Sequence, residues 1–180
     1  MQFHRQHAIP TLALAAVLFA ACRPVVGDGR SATAPLSVAG GQAVGTLTLR
    51  DAPGQPLTIQ GELSGLPAGT HGIHFHAAGQ CDAAGEFASA GAHFNPASRK
   101  HGLESAEGPH AGDLPNLVVG SDGRAVVRMT TARVTLGREA ASLLDADGSA
   151  VVVHAASDDQ RTDPAGNSGA RIACGVITPR

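Results

Sequence analysis

The stretch HGIHFH, residues 71–76, puts three imidazoles into six positions. On an extended chain, side chains two apart share a face, so His74 and His76 can reach one metal ion together. Neutral imidazole is the commonest protein metal ligand. Taken alone, H-x-H is a weak signal, because a polar strand surface produces it too. His71 lies three residues back, on the opposite face, and reads as a structural hydrogen-bonding residue. Further on, His93, His101, His110 and Asp113 fall within 21 residues of a Gly- and Pro-rich segment. Three imidazoles and one carboxylate match a closed tetrahedral zinc shell. A segment so poor in apolar residues has metal binding as its route to order. His154 ends the apolar run AVVVHA and is a candidate third ligand beside His74 and His76. Asp158, four residues on, is placed to hold the free ring nitrogens of ligand histidines.

Short strands must carry these residues. Apolar or alternating runs occur at 43–50, 57–63, 71–77, 116–120, 124–130, 150–155 and 170–177, with turn residues between them; SDG at 121–123 reads as a hairpin turn. No segment has a sustained 3.6-residue apolar period. The pattern predicts an all-β chain of about eight strands, a sandwich or barrel. Two stretches, 78–115 and 156–169, do not fit as strands. Loops of that length are usually functional or disordered.

Composition agrees. The 180 residues suggest one domain, with 43% hydrophobic content but only 3% aromatic, so the core is built from Val, Leu, Ala and Ile. The 23 glycines and 11 prolines favour turns over a helical bundle. A net charge of −2 without a basic stripe argues against nucleic acid as a partner.

Residues 1–21 read as an export signal: Arg5 with no acid, then the short apolar run TLALAAVLFAAC. LFAAC, ending at Cys22, resembles the lipobox of bacterial lipoproteins, which implies cleavage before Cys22 and lipid on its thiol. The alternative is an ordinary secretory signal cut near Ala21. Residues 22–35 then form the anchor cysteine and a polar tether, and 36–180 the domain. Export leaves Cys81 and Cys174 as a pair in an oxidising compartment, where a disulfide is expected.

HGIHFH, SAGAHFNP (89–96), KHG (100–102), GPHAGDLPN (108–116), VVVHAASDD (151–159) and GNSGARIACGVI (166–177), in this order and spacing, resemble the copper/zinc superoxide dismutases. The likeness runs from about Pro35 to Arg180, and CDAAGEFASAGAHFNP looks like the bacterial form. It implies a Greek-key β-barrel of eight strands with two long functional loops. It also implies copper at His74, His76, His93 and His154, with zinc at His93, His101, His110 and Asp113. His93 would bridge the two metals, Asp158 would link their shells, and Cys81 would pair with Cys174. Arg171 would guide the substrate, superoxide, toward dismutation outside the cytoplasm. An exported metal-binding module without turnover is the rival reading, and either monomer or homodimer is compatible with the family. The threonine and lysine that line the channel in animal members are replaced here by Ala165 and Pro164. Arg99, Lys100 and Arg161 read better as solvated surface charges than as substitutes.

Overall fold

The computed structural model describes residues 1–2 and 29–180. Its strands are β1 (Arg30–Val38), β2 (Ala43–Asp51), β3 (Leu57–Ser64), β4 (Gly69–His71), β5 (Ile73–His76), β6 (Leu117–Val119), β7 (Arg124–Thr131), β8 (Ala150–His154), β9 (Arg171–Val176) and β10 (Thr178–Pro179). One antiparallel sheet runs β5-β8-β9-β1-β2-β3-β7, with β10 continuing along β1; β4 and β6 form a second, small sheet. The sheet curls around a core of aliphatic side chains that includes Leu36, Leu47, Ile59, Ile73, Val127, Val151 and Val153. Among the described residues the helical content is one short 3₁₀ turn, Ala88–Ala90. The expected all-β architecture is present.

Three features depart from the sequence reading. First, β1 begins at Arg30, inside the segment read as a tether to residue 35. Ala32, Ala34 and Leu36 alternate inward and are buried, while Pro35 faces out. A strand whose inward residues are mostly alanine carries too little hydrophobicity to stand out from a polar linker. It is held by its neighbours: Arg30 to Ser37 pair with β2, and Ala32 and Thr33 with β10. Second, the run at 71–77 divides at Gly72 into β4 and β5, which belong to different sheets. A side chain at Gly72 would meet Ser168 Cβ at 2.9 Å and His74 Cε1 at 3.1 Å, so the second loop packs directly on this break. Third, residues 132–149 form another long connection without a strand. It is anchored by the buried Val134, Leu136 and Leu143.

The two predicted functional loops are present. The first leaves β5 and is tied back to it by isolated pairings of His74 with Asp113 and His76 with His93. The second follows β8 and meets the first at Gly102, whose φ is +104°. A Cβ there would lie 2.0 Å from the Gln160 carbonyl oxygen, so only glycine allows the loops to approach this closely.

Candidate metal centre

The strands bring His74 and His76 from β5 beside His154 from β8, in the register His74 opposite Val152 and His76 opposite Ala150. His93 arrives from the first loop. One donor atom from each of these four residues falls within a 4.8 Å group, and all four residues are buried. Their second ring nitrogens determine which way the lone pairs point. His76 Nδ1 donates to the Gly91 carbonyl at 2.9 Å, and His154 Nδ1 to the Gly169 carbonyl at 3.1 Å. That leaves two Nε2 lone pairs facing each other at 3.3 Å. His74 Nε2 donates to Asp158 Oδ2 at 2.7 Å, so its Nδ1 carries the lone pair. His74 Nδ1 and His93 Nε2 are buried and have no hydrogen-bond partner.

Orphaned buried acceptors cost stability unless something satisfies them. At His74 a proton does not fill this role at neutral pH. Burial pushes His74 down to about 4, its hydrogen bond to Asp158 notwithstanding. Burial, with His74 nearby, takes His154 down to about 3, and burial holds His76 well below its ordinary value. Three imidazoles held neutral by burial, His74, His76 and His154, converge with that of His93 and fit a cation of the copper type, which imidazole suits.

The second group is His93, His101, His110 and Asp113, with donor atoms again within 4.8 Å. Asp113 Oδ1 lies 3.0 Å from both His93 Nδ1 and His101 Nδ1, and 3.4 Å from His110 Nδ1. Its Oδ2 accepts the backbone N–H groups of Gly102 at 2.8 Å and His110 at 2.9 Å. Burial works against the Asp113 charge, yet the hydrogen bonds from His101 and His93 outweigh it and hold the carboxyl well below the usual range. Three imidazoles and an ionised carboxylate fit zinc. His93 belongs to both groups, one ring nitrogen facing each.

Asp158 joins the two sets. Its Oδ1 lies 3.0 Å from His101 Nε2, while Oδ2 holds His74. For His101, burial is outweighed by the Asp113 and Asp158 hydrogen bonds, and its pKa rises to about 9. Asn116 clamps the Asp158 backbone, accepting its N–H at 2.9 Å and donating to its carbonyl at 2.8 Å.

Arg171 opens β9 directly across from His154. Its half-buried guanidinium donates to the Phe87 and Gly91 carbonyls, each at 2.6 Å. His71 lies outside both donor sets, as expected, with its ring nitrogens 2.8 Å from the His154 carbonyl and 2.9 Å from the Pro67 carbonyl. Of the other loop cations, Lys100 pairs with Asp163 at 3.1 Å and Arg161 with Glu104, while Arg99 is exposed. Cys81 and Cys174 are joined in a disulfide.

Sequence reasoning missed Arg133. Its Nη2 donates to the Asp113 carbonyl at 2.5 Å, and its Nε is buried without a partner. The residue lies in the 132–149 connection, 20 positions from Asp113, and no local pattern marks it.

The fold is a β-barrel, and two adjoining groups of donor side chains, each able to hold a metal ion, have His93 in common. Comparison with known proteins makes this specific. Residues 43–177 match the model of the copper/zinc superoxide dismutase family. The Cu-Zn superoxide dismutase of Caulobacter vibrioides is 44% identical over 152 residues, covering 82% of this chain and 85% of that protein. Cu-Zn superoxide dismutase 1 of Aquifex aeolicus is 46% identical over 121 residues, covering 66% of this chain and 71% of that protein. The crystal structure of a superoxide dismutase-like protein from Bacillus subtilis superposes with a TM-score of 0.77 at 38% identity, covering 86% of this chain and all of that one. The chain belongs to the copper/zinc superoxide dismutase family. It is an oxidoreductase of that family, and its cofactors are copper and zinc.

Proposed function

We propose that this chain dismutes superoxide outside the cytoplasm, with copper held by His74, His76, His93 and His154 and zinc by His93, His101, His110 and Asp113. The observation that carries this reading is the convergence of four imidazole lone pairs, two of them buried orphans, beside the half-buried Arg171. In dismutation one superoxide gives up an electron, the next accepts it, and two protons complete hydrogen peroxide. Copper, when bound, supplies the one-electron exchange, and zinc a divalent charge without redox chemistry.

The chain's own residues do the rest. Arg171, its guanidinium fixed by two carbonyls, draws in and orients a small anion. Its remaining N–H donors are available to that anion. His93, with Nδ1 toward Asp113 and Nε2 toward the other three imidazoles, is positioned to hold and release a proton at Nε2. Asp158 and the Gly91 and Gly169 carbonyls hold the ring orientations, so each lone pair is in place before any ion arrives.

Export is part of the proposal. Residues 1–21 act as its signal and Cys22 as its lipid-bearing first residue; residues 3–22 lie outside the described residues. The tether shortens to residues 23–29 because β1 begins at Arg30. The Cys81–Cys174 disulfide supports an oxidising compartment.

The test is elemental analysis of the purified chain after loading with both metals, with superoxide removal assayed on the same sample. One copper and one zinc per chain are expected, with turnover lost in His154→Ala while zinc is retained. Zinc without firmly held copper, and no turnover, would leave a binding module in place of an enzyme.

A further inference from the structure

Only residues 23–29 separate Cys22 from Arg30, the first residue of β1. Drawn out fully, seven residues span roughly 25 Å, at about 3.5 Å each. Arg30 stands at one end of the barrel. It pairs with Asp51, and the Arg180 N–H donates to the Ser31 carbonyl at 2.9 Å, so the start of β1, the chain end and the β2–β3 turn lie together. A cleft at this end is lined by Arg30, Asp51, Pro53, Gln55, Thr135 and Glu139.

The copper-side residues spread from the middle of the same ladder, where His76 is opposite Ala150 and Ala150 opposite Val176, to its other end. Val38, the last residue of β1, pairs with Ala173, and the His154–Arg171 pair lies beyond that level. From Arg30 to Val38 the strand rises roughly 27 Å, at about 3.4 Å per residue. A tether of this reach brings the Arg30 end to a bilayer with slack. It could bring the opposite end there only if drawn taut along the full length of the barrel.

We propose that the Arg30 end of the barrel faces a phospholipid surface and that the metal centre is turned away from it. The inference rests on the reading of Cys22 as lipid-bearing. Arg30, Arg50, Arg138 and Arg180 are exposed at this end, with Glu139, Asp145 and the terminal carboxylate as the acids beside them. The Asp51 carboxylate is turned inward to Thr135 Oγ1 at 2.6 Å and to the Leu136 N–H at 2.7 Å. Charge at this end is mixed, so the tether sets the orientation and salt leaves it unchanged. There is a functional consequence. An anionic bilayer lowers the local concentration of an anionic substrate, but only within about one Debye length, ~8 Å at physiological salt. Roughly 27 Å of strand places Arg171 well outside that zone.

The chain has no Trp and no Tyr, so a single introduced tryptophan is a clean reporter. Gln55→Trp places it in the turn at the Arg30 end, and Gln42→Trp in the turn at the opposite end of β2; both positions are exposed. The full-length protein, taken from membranes, is reconstituted into phosphatidylethanolamine/phosphatidylglycerol vesicles with and without a headgroup-nitroxide lipid. Thermal unfolding first checks that each variant is folded. We expect loss of Gln55→Trp emission in the nitroxide vesicles at low and high salt, and no loss for Gln42→Trp. Equal quenching of both, stronger quenching of Gln42→Trp, or quenching of neither in protein that floats with the vesicles would overturn the orientation while the anchor stands. Protein that does not float with vesicles, or a Cys22→Ser variant that still does, would overturn the lipid reading and the orientation with it.

Discussion

Asp158 Oδ2 meets His74 Nε2 at 2.7 Å, with both side chains fully buried. This single contact decides which nitrogen of His74 is left to bind a metal, and the other oxygen of the same carboxylate holds His101. Asp158→Asn keeps the shape but can accept on only one atom. We expect it to weaken both metals, by about 10–100-fold in affinity. Competition titrations with chelators for copper and zinc would measure this. Unchanged affinities would remove Asp158 from its linking role.

Arg133 touches neither donor set through a ligand atom but holds the Asp113 backbone from behind. We propose it as a positioning residue for the carboxylate assigned to zinc. In Arg133→Met the zinc dissociation constant should rise, and zinc should add less to the melting temperature than it does in the parent. A purely structural role would instead lower the melting temperatures of the zinc-free and zinc-loaded forms equally, leaving zinc affinity untouched.

The Cys81–Cys174 bridge spans 93 positions and ties the start of the first loop to β9, three residues after Arg171. In the chain-entropy model a closure of this length is worth about 4–5 kcal/mol. Cys81→Ser should therefore melt well below the parent under oxidising conditions, and reduction of the parent should reproduce the shift. Identical melting temperatures in all three would show that the bridge adds nothing.

Acid should weaken the metal-free protein before it reaches the carboxylate range. His74 and His154 have ordinary values of 6.5, lowered in the fold to about 4 and about 3. Between those limits the unfolded chain binds protons that the folded chain does not. Unfolding is therefore favoured as pH falls from 6.5, and their contribution is lost progressively down through the folded values. Melting temperatures of stripped protein across pH 7 to 4 should drop more steeply than those of His74→Ala or His154→Ala. Parallel curves would show that these histidines are not held neutral by burial.

The sequence by itself determined a good deal. The i, i+2 spacing of His74 and His76 on a strand, the ligand-rich first loop and His154 at the end of an apolar run follow from the period of a β-strand and from residue chemistry. Both are local, and both reappear in the structure. Other features depend on partners far away in the chain. β1 is a strand because β2, β9 and β10 pair with it, and its alanines show no hydrophobic pattern strong enough to announce this. The division of HGIHFH at Gly72 is enforced by Ser168, almost a hundred residues later. Arg133 finds Asp113 only once the connection after β7 has folded under the first loop. The converging lone pairs of His74, His76 and His154 are set by Asp158, Gly91 and Gly169, which no spacing rule selects. Ligand types are written into short stretches of chain. Their orientation is decided by hydrogen bonds and packing between segments that only the tertiary structure brings together.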